Sequence, residues 1–138
     1  MTYLLDTNIC IDILRAKDWV LEGRFRPRRL ECWISDVVAA ELMFGFYKRP
    51  HTEEERRTRA FLAKMPMLPF GIAGAEAYAR TRADLEGRGM KIGTNDLLIA
   101  ATALASGATL VTNNTTEFSR VTGLTIEDWT LRAPDLDY

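Results

Sequence analysis

Four acidic residues of this chain either follow a short apolar run or interrupt an apolar helical pattern: Asp6, Glu41, Asp96 and Glu117. A carboxylate that leaves water without a partner loses several kcal/mol. Carboxylates that gather in one place also repel one another and raise each other's pKa, unless a cation lies among them. The pattern therefore favours a site in which oxygen atoms bind a divalent metal ion.

Three of the four residues also have a simpler interpretation. Asp6 could cap the helix that follows it, although Thr7 and Asn8 could do so equally well. Asp96 stands at a predicted helix start, where the helix dipole favours an anion, yet Ile99 continues its face as an apolar stripe. Glu117 could be an ordinary solvated glutamate.

Glu41 is harder to explain as a surface residue. On a helix it shares a face with Val37, Val38, Phe44 and Gly45, because residues three and four apart are neighbours. A buried arginine partner is the alternative that the sequence leaves open.

Mg²⁺ and Mn²⁺ suit a site built from two or three carboxylates and neutral oxygen donors. Such an ion can activate water and neutralise phosphoryl oxygens, so hydrolysis of a phosphodiester needs no histidine. The chain has a single histidine, which argues against a zinc site or a histidine-based triad. The neutral donors that could orient water or phosphate are Thr7, Asn8, Thr112 and Asn114, each of which could equally be a turn or cap residue.

Length and composition indicate one ordinary globular domain over residues 1–138, with 47% apolar and 27% charged residues. The net charge of −1 means that a nucleic acid would have to contact a local basic patch. No apolar run is long enough to span a bilayer, and no secretory leader is evident, so we expect a cytoplasmic protein. Cys10 and Cys32 have no metal or redox spacing and are expected to be reduced core residues.

Apolar runs alternate with helical patterns along the chain, which predicts an α/β fold with a mostly parallel central sheet. The predicted strands are 3–5, 32–34, 109–112 and an edge strand at 125–126, with a short extended segment at 66–70. Helices are predicted from Thr7 or Asn8 through Leu14, within 16–29, from a Ser35 or Asp36 cap to Phe46, from a Thr52 capping box through Met65, over 73–86, and from a Thr94 or Asn95 cap to Gly107.

The predicted elements also place the candidate residues. In parallel sheets, functional groups collect where strands end and the chain crosses into a helix. Asp6 lies at one such junction and the segment 113–117 at another.

Four segments that contain these acids resemble the motifs of PIN-domain ribonucleases, and within them the VapC-type toxins of bacterial toxin–antitoxin systems. The segments are Leu4–Asn8, Ser35–Leu42, Ile92–Ala101 and Leu110–Phe118, in the family's order. The resemblance spans nearly the whole chain.

This resemblance implies a three-layer α/β/α PIN-like fold and an Mg²⁺-dependent endoribonuclease, in which Mn²⁺ could substitute, acting on tRNA or another structured RNA. It implies that Asp6, Glu41 and Asp96 bind the metal. Many family members have an aspartate where this chain has Asn114, so Glu117 is the candidate for the fourth acidic role. The resemblance further implies a homodimer and a cognate VapB-type antitoxin that binds it in a larger assembly.

Two alternatives come from other functional classes. A phosphoacceptor receiver domain has a similar size and sheet, but it needs an adjacent acid pair after its first strand, where this chain has Asp6 and Thr7. A catalytically inactive binding module is the other alternative, and the retained acids argue against it.

RNA contact could come from any of three basic clusters, because arginine beside an aromatic ring can hold phosphate and stack on bases. The first cluster is Arg24, Arg26, Arg28 and Arg29; the second is Arg56, Arg57 and Arg59; the third is Arg80, Arg82, Arg88 and Lys91.

Overall fold

A computed structural model describes residues 1–132 of the chain. Five strands were found: β1 (Tyr3–Leu5), β2 (Cys32–Ser35), β3 (Met67–Leu68), β4 (Thr109–Val111) and β5 (Ile126–Glu127). The α-helices are α1 (Thr7–Arg15), α2 (Trp19–Phe25), α3 (Asp36–Lys48), α4 (Thr52–Lys64), α5 (Gly71–Gly87), α6 (Thr94–Ser106) and α7 (Thr115–Phe118), with a 3₁₀ helix at Arg26–Glu31. These elements confirm the predicted α/β alternation.

The strands form one parallel sheet in the order β3-β2-β1-β4-β5. The chain moves from β1 outward to β2 and β3, and it then returns to the other side of β1 to form β4. The sheet therefore reverses its winding between β1 and β4, the position at which open parallel sheets usually bind their ligands. Leu5 lies opposite Val111 in this central pair, so the two strands end level with each other.

Helices flank the sheet and complete the three-layer α/β/α fold that the sequence predicts. α1 contacts α3 and α4, whereas α5 packs mainly along α6. The central strands are apolar without alternation because both faces are covered, and Leu4, Leu5, Leu110 and Val111 are fully buried. Cys10 and Cys32 are buried free thiols, as expected.

Two predicted helix caps are wrong. α4 begins with His51, not Thr52, as its N-cap, and the His51 Nδ1 accepts a hydrogen bond from the Glu54 N–H at 3.3 Å. α6 begins after Gly93, which has no side chain to cap it, so neither Thr94 nor Asn95 takes that position. In both cases the residue types alone do not decide at which residue the backbone changes from extended to helical.

No helix within residues 1–132 has both the length and the apolar character needed to cross a membrane.

Candidate active site

The candidate site lies where β1 and β4 end side by side. The Asp6 N–H donates to the Val111 carbonyl at 2.9 Å, which continues the β1–β4 ladder by one residue. The Thr112 N–H donates to the Glu127 carbonyl of β5 at 3.0 Å. Ladder hydrogen bonds thus hold Asp6 and Thr112 as neighbours at the carboxyl edge of the sheet.

Asp6 is buried, with only 4% of its surface exposed. Its Oδ1 accepts the Thr7 N–H at 2.8 Å, so Asp6 itself caps α1, and its Oδ2 accepts the Thr112 hydroxyl at 2.8 Å. Burial raises the pKa of Asp6, the bonds from Thr112 and Thr7 lower it, and the Glu41 charge raises it again. The structural and functional interpretations of Asp6 are therefore compatible, since one oxygen caps the helix while the carboxylate remains at the site.

α3 brings Glu41 to the same place. Ser35 ends β2 and caps α3, with its hydroxyl accepting the Val38 N–H at 3.1 Å, as the sequence predicts. Glu41 lies in the second turn and is half-buried, and its Oε1 accepts the Thr7 hydroxyl at 2.7 Å. Thr7 therefore links two acidic residues, because its N–H donates to Asp6 and its hydroxyl donates to Glu41. The sequence gives no signal for the second bond, because a threonine after an aspartate looks like an ordinary cap residue.

The predicted surroundings of Glu41 need one correction. Val38 is fully buried, but Phe44 is 63% exposed, so the apolar stripe does not continue beyond Glu41. The alternative of an arginine partner is also wrong, since the structure shows no ion pair for Glu41 within residues 1–132.

Asp96 and Glu117 form the other half of the site. Asp96 is half-buried in the first turn of α6, and its neighbours Ile99 and Ala100 are fully buried, as predicted. Burial first, then a hydrogen bond shared with Glu117, and then the charges of Asp6, Glu117 and Glu41 raise the pKa of Asp96 to about 7. Burial and the neighbouring acids therefore both favour the protonated form of Asp96.

Asn114 supports Glu117 from the end of β4. The Asn114 amide donates from Nδ2 to Glu117 Oε2 at 3.1 Å, and its backbone N–H donates to the Thr112 hydroxyl at 3.0 Å. Asn114 therefore positions an acid and contributes no charge of its own. Asn8, by contrast, is exposed, and its side chain makes no hydrogen bond to the described part of the chain.

The donor set fits a hard divalent cation. It consists of four carboxylates whose side-chain neighbours are threonine hydroxyls and an asparagine amide. Among residues 1–132, no basic side chain bonds to any of the four. Within residues 1–132, no group of three acidic, histidine or cysteine side chains is arranged so that it could hold a metal ion as it stands. Mg²⁺ does not need one, because it usually keeps several waters and takes only one or two carboxylates directly.

Comparison with known proteins gives a consistent result. Residues 3–124 match the model of the PIN domain family. The chain is 36% identical to Ribonuclease VapC2 of Rickettsia felis, over 94% of this chain and 98% of that protein. It is 35% identical to the tRNA(fMet)-specific endonuclease VapC of Shigella flexneri over the same shares. Among solved structures, a chain of the Rickettsia felis VapBC2 complex bound to a promoter DNA fragment superimposes with a TM-score of 0.86 at 36% identity, covering 94% of this chain and 99% of that one.

Proposed function

Because this chain belongs to the PIN domain family, we propose that it is a metal-dependent endoribonuclease and the toxin of a VapBC-type toxin–antitoxin pair. The observation that carries the proposal is the hydrogen-bonded arrangement of acids at the carboxyl edge of the sheet. Thr7 contacts both Asp6 and Glu41, while Thr112 and Asn114 connect Asp6 with Glu117. Relatives that match nearly the whole chain are named as ribonucleases, which supports RNA as the substrate.

We assign Asp6, Glu41 and Asp96 as ligands of Mg²⁺, directly or through water, with Mn²⁺ able to replace it. When bound, the cation neutralises charge on the phosphoryl oxygens and makes a nearby water more acidic. Glu117 completes the acidic pocket, and Asn114 orients its carboxylate. Burial and the neighbouring acids raise the pKa of Asp96, and a cation in the pocket would lower it again.

The neutral residues keep this acidic pocket in shape. The Thr7 hydroxyl orients Glu41, and the Thr112 hydroxyl orients Asp6. Neither hydroxyl carries a charge, so neither of them balances the charge of the carboxylate that it contacts. Hydrolysis by water at such a site would leave 5′-phosphate and 3′-hydroxyl ends on the RNA.

A VapB-type antitoxin is the partner that we propose, because the solved relatives are toxin–antitoxin complexes. We also propose a homodimer. Phe44 and Tyr47 of α3 are 63% and 64% exposed, and exposed aromatic side chains of this kind are a candidate surface for either contact. The named target of the Shigella flexneri relative makes tRNA the first RNA to test.

A cleavage assay with purified protein and tRNA tests the activity. We expect cleavage with Mg²⁺ or Mn²⁺, none in excess EDTA, and recovery when the metal is restored. Sequencing of the fragment ends should show 5′-phosphates. Undiminished cleavage in EDTA, or 2′,3′-cyclic phosphate ends, would contradict a metal-dependent hydrolytic mechanism.

A further inference from the structure

The three basic clusters differ in their position relative to the acidic pocket. Arg26, Arg28 and Arg29 belong to the 3₁₀ helix that leads into the first residue of β2, so they lie at the amino edge of the sheet. Asp6 lies at the opposite edge, because it follows the last residue of β1. The first cluster also has structural roles, since the Arg24 side chain donates to the Asp128 carbonyl and that of Arg28 to the Arg24 carbonyl. This cluster is too far from the acids to hold the reacting phosphate.

The second cluster lies on α4, where its charges are already balanced. Arg56 and Arg57 both pair with Glu53, at 2.6 and 3.1 Å. Arg59 lies 3.8 Å from Glu55 and stacks over the Phe46 ring, with its guanidinium carbon 4.8 Å from the ring centre. These arginines have acidic or aromatic partners on their own surface and offer little net charge to a phosphate.

The third cluster lies where α5 ends and α6 begins, and α6 carries Asp96 in its first turn. Most of its arginines pair along α5: Arg80 with Glu76, Arg82 with Glu86, and Arg88 with Asp84. Lys91 differs, because it forms no ion pair with any group in the described range. Its ammonium group is exposed on the loop that leads directly to Asp96.

Hydrogen bonds hold the backbone of this loop. Gly89 adopts a φ of 67°, which allows the turn after α5. The Arg88 guanidinium donates to the Arg120 carbonyl at 2.7 Å, and the Arg120 guanidinium donates to the Lys91 carbonyl at 3.0 Å. The loop is therefore fixed against the segment that follows Glu117, while the Lys91 side chain remains available.

A cavity of about 240 Å³ opens beside this loop. Its polar lining comes from Tyr78, Arg82, Glu86, Lys91 and Thr94. Two cations therefore face one carboxylate, and that carboxylate is already bonded to Arg82. The cavity is smaller than the roughly 300 Å³ at which small-molecule pockets begin, so it suits one phosphate or ribose and not a whole nucleotide.

We propose that this cavity binds a backbone phosphate of the RNA adjacent to the one that is cut, with Lys91 as the main contact. Thr94 lines the cavity, and Asp96 lies two residues further along, on another face of the same helix end. One strand that passes over the start of α6 could therefore occupy both places. A cation at this point offsets the repulsion between the acids and the incoming phosphates. The inference rests on the proposed ribonuclease function and specifies where its substrate binds.

The substitution Lys91→Gln tests whether the cavity binds an RNA phosphate, and Lys17→Gln is the matched control. Lys17 is an exposed lysine in the loop after α1, at the opposite edge of the sheet. For cleavage of tRNA we expect Lys91→Gln to raise KM about fivefold with little change in kcat, as for loss of one phosphate contact. The slope of log affinity against log salt should fall by about 0.7, the value for one phosphate on a single strand. Lys17→Gln should match the wild type in both respects.

Glu86→Gln should change KM in the opposite direction. It removes the one carboxylate of the cavity lining, so KM should fall below that of the wild type. Equal KM and salt slopes for wild type, Lys91→Gln and Lys17→Gln, or a raised KM for Glu86→Gln, would overturn the proposal.

Binding of a fluorescein-labelled, single-stranded oligoribonucleotide in EDTA separates this proposal from the function on which it rests. If the wild type cut no RNA, the nuclease assignment would fail, and the anisotropy titration would still measure the contribution of Lys91. Weaker RNA binding by Lys91→Gln alone supports phosphate binding at the cavity. Equal binding by the wild type, Lys91→Gln and Lys17→Gln refutes it.

Discussion

Acidic residues have different partners at the carboxyl edge of the sheet and on the outer surface of α4 and α5. On the helices, glutamates and aspartates lie three or four residues from an arginine and pair with it, as Glu76 does with Arg80 at 2.8 Å. At the sheet edge, the side-chain contacts of Asp6, Glu41 and Glu117 come from hydroxyl and amide groups. Charge is balanced locally in the first region, and in the second it is left for a cation.

Glu117 shows that spacing alone does not separate the two regions. Arg120 lies three residues after it and could have paired with it on a helix. Instead, the Arg120 guanidinium donates to the Lys91 carbonyl, and Glu117 accepts from Asn114. The arginine holds a loop in place, and the glutamate remains part of the acidic pocket.

Removing one acidic charge from each region should give the largest difference in the rate of RNA cleavage. Asp96→Asn should lower RNA cleavage by about a hundredfold or more, the scale of losing one preorganised electrostatic group. Glu76→Gln removes an exposed acid of α5 and should leave cleavage unchanged, because surface ion pairs contribute little. Initial rates in saturating Mg²⁺, with circular dichroism to verify folding, provide the measurement. Comparable rates for the two variants would contradict the distinction between the regions.

Thr112→Val should have a smaller effect on the acidic pocket. It leaves the buried Asp6 Oδ2 and the Asn114 N–H without the hydroxyl that both contact. An unsatisfied buried group of this kind costs about 1–3 kcal/mol, so the free energy of unfolding should fall by that amount. Cleavage should fall about tenfold, as expected when a residue that orients a metal ligand is lost. Thr112→Ser keeps the hydroxyl and should retain most of both properties, and equal losses for Ser and Val would show that the hydroxyl is not the cause.

The two regions should also respond to pH with opposite signs. The folded pKa of Asp96 is about 7 and its ordinary value is 3.8, so between these values the folded chain holds more protons than the unfolded one. Stability of the metal-free protein should therefore fall as pH rises from about 4 to about 7. The arginine-paired acids Glu53, Asp84 and Glu86 have lowered pKa values, so their contribution is lost only as pH falls through the range below their ordinary values.

Urea unfolding in EDTA at pH 5.5 and pH 8 measures the first of these effects. The wild type should be less stable at pH 8, and Asp96→Asn should remove much of that difference because it does not titrate. A wild type that is equally stable or more stable at pH 8 would show that the four carboxylates do not repel one another as described.

The fold was predictable because its signals are local. Buried runs such as Leu4 and Leu5 have the length and composition of central parallel strands, and Ser35 caps α3 as its position predicts. Asp6 and Asp96 were recognisable as unusual because each adjoins an apolar run of its own segment. The caps of α4 and α6 were not predictable, since they depend on which residue keeps an extended backbone where several polar residues adjoin.

Contacts between distant segments could not be predicted in the same way. The Thr7 hydroxyl reaches Glu41 across 34 residues of sequence, and only the packing of α3 against α1 brings the two together. The role of Asn114 is another example. From sequence, an asparagine that positions a neighbouring glutamate cannot be distinguished from one that only forms the turn after a strand. Among the basic clusters, the sequence showed where arginines are frequent but not which of them pair with acids along their own helix, as Arg80 does with Glu76.

A crystal structure of the protein soaked in Mn²⁺, with anomalous diffraction data, tests the central claim most directly. We predict one strong anomalous peak, or two close together, between the carboxylates of Asp6, Glu41 and Asp96, with Glu117 at the margin. A pocket without a peak at saturating Mn²⁺, or carboxylates turned apart towards arginine side chains, would contradict it.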